Sequence, residues 1–128
     1  MVKAMIEGIE HTAIASPDPA KLATWYVDTL GLRINYQSST SVMLRAQNGF
    51  MLELITADGA AHASTMKTPG LRHLAIGVSD FDSVYANLRA KGVKFVNEPA
   101  EHKGNRVVFF EDPEGNLLHL LKRAEPLP

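Results

Sequence analysis

"EHTAIASPDPAKLATWYVDTLGLRI", residues 10–34, and "GLRHLAIGVSDFDSVYANLRAKGVKF", residues 70–95, state one pattern twice. With His11 laid over His73, Ala13 meets Ala75, Ile14 meets Ile76 and Asp18 meets Asp80 without a gap, and after one slipped position "GLRI" at 31–34 meets "GVKF" at 92–95. A period of about 62 residues is too long for a solenoid unit and suits two copies of a small supersecondary module. Gene duplication is the simplest origin.

Each copy reads as a strand, a helix and further strands. Asp18 is a helix N-cap with Pro19 in the first turn, Leu22, Trp25, Tyr26 and Leu30 follow at helical spacing, and Gly31 is a stop. In the second copy Asp80 caps, Phe81, Val84, Tyr85 and Leu88 form the stripe, and Gly92 ends it. These aromatic residues read as core. "SVMLRAQNGFMLELI" splits at Asn48-Gly49, a strong hairpin signal, and "RVVFFEDPEGNLLHLLK" splits at Asp112 to Gly115. Each copy is therefore expected to be βαβββ. One domain over residues 1–128 is expected, with module one at about 6–56, a linker at 57–70 and module two at about 71–123.

Strand parity sorts the side chains by face. Leu74, Ile76 and Val78 suit a helix, which sends His73, Ala75 and Gly77 to the other face; Thr12 and Ile14 likewise leave His11, Ala13 and Ala15 opposite. In the last strand of each copy, Leu52 and Leu54 set Glu53 apart, and Leu118 and Leu120 set His119 apart. Small residues beside polar ones leave room for a ligand. Copies paired about a pseudo-twofold axis would let His11, Glu53, His73 and His119 converge on one point. Three imidazoles and a carboxylate suit a divalent transition ion such as zinc, iron, manganese, nickel or cobalt. His62 and His102 fall in loop-like stretches with no counterpart across the repeat and read as surface residues. Arg45 and Arg106 sit in strands near the expected cavity, where they suit either an anionic substrate or a solvated edge.

Composition limits the alternatives. The 128 residues are 45% hydrophobic and 21% charged, with net charge -1 and no basic run, so neither nucleic acid nor a membrane surface is an expected partner. The absence of cysteine excludes disulfides and thiolate metal sites. "MVKAMIEGIEH" lacks the apolar stretch of a signal peptide, and a cytoplasmic location is expected.

The run of "EHTAIAS", "LELI", "RHLAIGV", "AKGV" and "FFEDPEGNLLHL" resembles the vicinal oxygen chelate superfamily, also called the glyoxalase, bleomycin-resistance and dioxygenase superfamily, from about His11 to Leu121. The resemblance implies an α+β fold of two βαβββ modules placed edge to edge, whose mixed sheet curves into a cup with the helices outside, often as a homodimer. It implies a divalent metal at the positions of His11, Glu53, His73 and His119, and a small substrate held through neighbouring oxygens in a lyase, isomerase or dioxygenase reaction. It also implies an alternative, the non-catalytic bleomycin-resistance-like vessel that binds a small molecule. Glutamate is common in the family's last strand, where glyoxalase I and methylmalonyl-CoA epimerase use it as ligand and proton shuttle. This chain has His119, which once coordinated has no lone pair to take a proton. That departure argues against those two activities and leaves Glu53 as the candidate general base. The loops at 36–41, 57–70 and 97–105 are expected to line the mouth of the cup, and the tail "RAEPLP" to be exposed.

Overall fold

Cap, helix and stop signals recur in both halves of the chain, one residue closer together in the second, and each set starts and ends its helix where the sequence puts it. A computed structural model describes residues 5–128. The chain separates into two units, one ending at Ala60 and the other beginning at Ala61.

The first unit runs β1 (His11–Ser16), α1 (Pro19–Leu30), β2 (Arg33–Gln37), β3 (Ser41–Arg45) and β4 (Met51–Thr56). Asp18 accepts the Lys21 amide at 3.1 Å, Pro19 opens the helix, and Gly31 at φ 74° closes it by donating its amide to Val27. A side-chain cap of this kind stabilises a helix by about 1 kcal/mol. The sheet order is β1-β4-β3-β2, with β1 parallel to β4 and the other pairs antiparallel. Leu22, Ala23 and Tyr26 of α1 and Val42, Leu44, Leu52 and Leu54 of the sheet are all buried. Each fully buried leucine there contributes roughly 2 kcal/mol. The β3–β4 turn uses Gly49 at φ 92°, a backbone conformation that costs other residues strain.

The second unit runs β5 (His73–Gly77), α2 (Phe81–Ala90), β6 (Lys94–Phe95), β7 (Ala100–His102), β8 (Asn105–Glu111) and β9 (Leu117–Lys122). Asp80 accepts the Ser83 amide at 3.1 Å, and hydrogen bonding from the Ser83 side chain, then from this amide, holds its carboxyl below the usual aspartate range. The order is β5-β9-β8-β6, with β5 parallel to β9 and β7 also paired to β8. Phe81, Leu88, Val108, Phe110, Leu118 and Leu120 are buried, and Tyr85 and Phe95 extend the aromatic packing at 4.8 Å between rings. The β8–β9 turn is built on Asp112, whose carboxylate accepts the amides of Glu114 and Asn116 and the Asn116 side chain.

Each unit is thus an α+β module of mixed sheet and one helix. The second departs from plain βαβββ. Its third strand after the helix is preceded by a two-residue β6 and a short β7, so His102, expected in a loop, pairs with Asn105 in a hairpin. A Lys103-Gly104 turn with both residues at positive φ permits that tight reversal. His102 is exposed, as expected.

Candidate functional site

Register fixes the site before any side chain is considered. In the first unit Ala13 is the direct partner of Glu53 and His11 is the partner of Met51; in the second Ala75 is the partner of His119 and His73 of Leu117. The two donor pairs therefore occupy equivalent places in the two sheets. Each histidine of β1 or β5 lies diagonally across from the polar residue of the neighbouring parallel strand, with only an alanine methyl beside that residue. Diagonal neighbours on one sheet face are within reach of long side chains.

In the first unit His11 Nε2 lies 3.5 Å from Glu53 Oε1. The other ring nitrogen, Nδ1, stands 2.6 Å from Glu10 Oε1. With Nδ1–H donated to Glu10, neutral His11 turns the lone pair of Nε2 toward an oxygen that also carries lone pairs, and only a proton or a cation can join them. Orientation of a histidine by a carboxylate on its second nitrogen is the arrangement found behind metal-binding imidazoles. Glu10 was not legible in the sequence, because neighbouring residues of a strand point to opposite faces and Glu10 precedes the start of β1.

In the second unit the rings of His73 and His119 meet edge to face, 4.6 Å between centroids. Phe109, the register partner of His119, stacks on it at 4.7 Å and meets His73 edge-on at 5.6 Å. Both ring nitrogens of His119 are shut off from water and have no hydrogen-bond partner. Burial, and then the charges of His73 and Arg123, hold its pKa below the ordinary histidine value, so His119 is neutral at pH 7. A buried imidazole with neither nitrogen satisfied carries a free-energy cost that ligation of a cation would remove. Phe109 was hidden by the run "RVVFF", in which both alternating sets are apolar.

The residues present fit a divalent ion. They offer imidazole nitrogen and carboxylate oxygen, with an orphaned buried imidazole in one pair and a ring nitrogen facing a carboxylate oxygen at 3.5 Å in the other. Among the described residues no group of three or more His, Asp or Glu side chains stands close enough to hold a metal ion. The structure brings His11 to Glu53 and His73 to His119.

The two strand arginines separate. Arg106 shares its face with Val108 and Phe110, on the helix side; it pairs with Asp82 and lies over the Phe81 ring at 4.5 Å. The expectation that it stands near the cavity is corrected: pairing of Phe109 with His119 puts Arg106 in the opposite set. Arg45, in contrast, alternates with buried Leu44 and lies on the face of Glu53.

No helix of the described residues is long and apolar enough to cross a membrane. The chain is 30% identical over 123 residues to a probable lactoylglutathione lyase of Synechocystis, covering 89% of this chain and 94% of that one. Among solved structures it is similar to the oxidase ChaP-H2, with TM-score 0.74 and 29% identity over 93% of this chain and 95% of the other. A glyoxalase family protein from Enterococcus faecalis superposes with TM-score 0.77 at 26% identity, covering 92% and 99%. The sequence model of the Glyoxalase/Bleomycin resistance protein/Dioxygenase superfamily matches residues 8–120, and with the repeated module, its sheet order and its paired donors, the chain belongs to that superfamily.

Proposed function

We propose that the chain is a divalent-metal-dependent enzyme that chelates vicinal oxygens of a small anionic substrate, a lyase, isomerase or dioxygenase acting in the cytoplasm as a homodimer. Proteins of this superfamily bind small molecules and usually work with a divalent metal. The proposed ligands are His11 and Glu53 from the first unit and His73 and His119 from the second. The observation that carries the reading is the water-shielded, unpartnered imidazole of His119 beside His73, matched in register by the His11–Glu53 pair. The relatives, a probable lyase and an oxidase, support the span of reaction types.

A bound divalent ion would supply Lewis acidity toward the substrate's neighbouring oxygens. The chain's own residues do the remaining work. Glu10 holds His11 by Nδ1 and keeps Nε2 aimed across the sheet. Glu53 is the proposed general base: its side chain is 25% exposed, which leaves the carboxylate within reach of a substrate proton. His119, neutral and buried, supplies a nitrogen donor and no proton acceptor beyond it. That division of labour differs from one in which a last-strand glutamate serves as both ligand and base.

Metal analysis of protein purified without a histidine tag tests the proposal. Stoichiometric metal that is lost in His73→Ala, with the fold retained by circular dichroism, is the expected result. Iron would select oxygen chemistry; nickel, cobalt or zinc would select isomerisation or lyase chemistry. A well-folded protein that takes up no divalent ion overturns the proposal in favour of the non-catalytic vessel.

A further inference from the structure

We infer that Arg33 and Arg45 form a clamp for the carboxylate of a small apolar acid, which names the substrate class of the site proposed above and rests on that reading for the ligand's reacting end. Arg33 and Arg45 are direct partners across the antiparallel strands β2 and β3. Their neighbours Val42 and Leu44 are buried beneath α1, so both arginines belong to the opposite face, that of Glu53 and His11. Like charges set directly opposite each other in a sheet repel, and a chain bears that repulsion more readily where a bound anion relieves it. Among the described residues no carboxylate pairs with either arginine, and Glu53 is turned to His11. Arg106, on the other unit's helix side, is by comparison neutralised by Asp82.

The surroundings fit an organic acid better than a bare ion. The row that begins at Arg33 and Arg45 continues through Met51 to His11, so Arg45 stands two inter-strand spacings from the histidine and Arg33 three, roughly 10 Å and roughly 14 Å. Half-buried Met51 lies on that row, and half-buried Met43 flanks it in the next row, with the exposed ring of Tyr36 as the partner of Met43. Gly49 leaves space for the guanidinium: a Cβ there would lie 3.3 Å from Arg45 Nη2. Arginine's planar fork matches a carboxylate through two parallel bonds, and the methionine path accepts an apolar body between that end and the reacting end.

Binding to the full chain stripped of metal by chelation tests the clamp without depending on the metal. The probes are benzoate, its neutral counterpart benzamide, and phenyl phosphate, read by the arginine Nε–Hε resonances. Benzoate is expected to shift Arg33 and Arg45 in a saturable way, to bind more tightly than phenyl phosphate, and to be weakened at least about tenfold in Arg33→Gln and in Arg45→Gln. Arg89→Gln, on the outer helix, should leave binding unchanged. Equal shifts from benzamide, tighter binding of phenyl phosphate, or unaltered benzoate affinity in folded Arg45→Gln each overturn the inference. If benzoate binds through the arginines but no divalent ion does, the clamp stands and the metal reading falls; metal uptake with no response to benzoate removes the clamp alone.

Discussion

The ring of Phe109 lies nearly parallel to the imidazole of His119, 4.7 Å between centroids and 21° between planes, while His73 meets the same imidazole edge-on at 4.6 Å. His119 is thus held in one plane by apolar contact, since neither of its nitrogens has a hydrogen bond to fix it. Stacking takes the orienting part that Glu10 plays for His11 in the other unit.

Replacing Phe109 by Leu keeps apolar volume and removes the stacked plane. The expected results are a downfield shift of the His119 ring protons on loss of the ring current, a stability loss of about 1 kcal/mol, and about tenfold weaker binding of cobalt to metal-free protein. Proton NMR and denaturant unfolding measure the first two, and absorbance titration the third. Unchanged His119 ring shifts in the folded variant would show that Phe109 does not orient the imidazole.

Burial also gives His119 a pH signature. Its folded pKa is depressed, first by desolvation and then by the charges of His73 and Arg123. The unfolded chain therefore takes up this proton at higher pH than the folded one, near the ordinary value of 6.5. Stability from this residue is complete above that value and is lost as pH falls from it toward the lower folded pKa. Urea midpoints of metal-free protein between pH 8 and pH 5 should fall on the acid side, and the fall should be shallower in His119→Gln. Parallel curves for the two proteins would place the acid sensitivity elsewhere.

Much of this was legible because local signals and global pattern agreed. Asp18, Pro19 and Gly31 punctuate α1 where they stand in the sequence, and Asn48-Gly49 turns the hairpin. Alternation of Leu52, Glu53 and Leu54 assigned the Glu53 face unaided, because a carboxylate between two leucines goes to the face away from the core. The same logic failed for "RVVFF", where Val108 and Phe110 face the helix and Val107 and Phe109 do not, though all four are apolar. Arg106 was misplaced for that reason. The β7 pairing was illegible because the Lys103-Gly104 reversal puts a non-glycine residue at positive φ, which the hairpin tolerates at a local cost. Glu10 reached His11 by side-chain conformation, which strand parity does not describe.

The alanines beside the donor pairs offer the sharpest separation of site from scaffold. Ala13 is the register partner of Glu53 and Ala75 that of His119, and both are exposed. Neither methyl is needed to fill the core, which lies on the opposite faces of the same strands. What the small side chains provide is clearance, so that Glu53 reaches diagonally to His11 and His119 to His73. A leucine at either position would occupy that clearance. Ala13→Leu and Ala75→Leu should therefore leave unfolding free energy within about 0.5 kcal/mol of the parent, as for substitutions at exposed positions. Cobalt binding to the metal-free protein should nevertheless weaken more than tenfold in both. Ala20→Leu, at an exposed place on α1, should change neither quantity and controls for added apolar bulk. Full cobalt binding in folded Ala13→Leu and Ala75→Leu would mean that the clearance beside the donors is not what admits the ion, and that ligation draws on side chains other than these pairs.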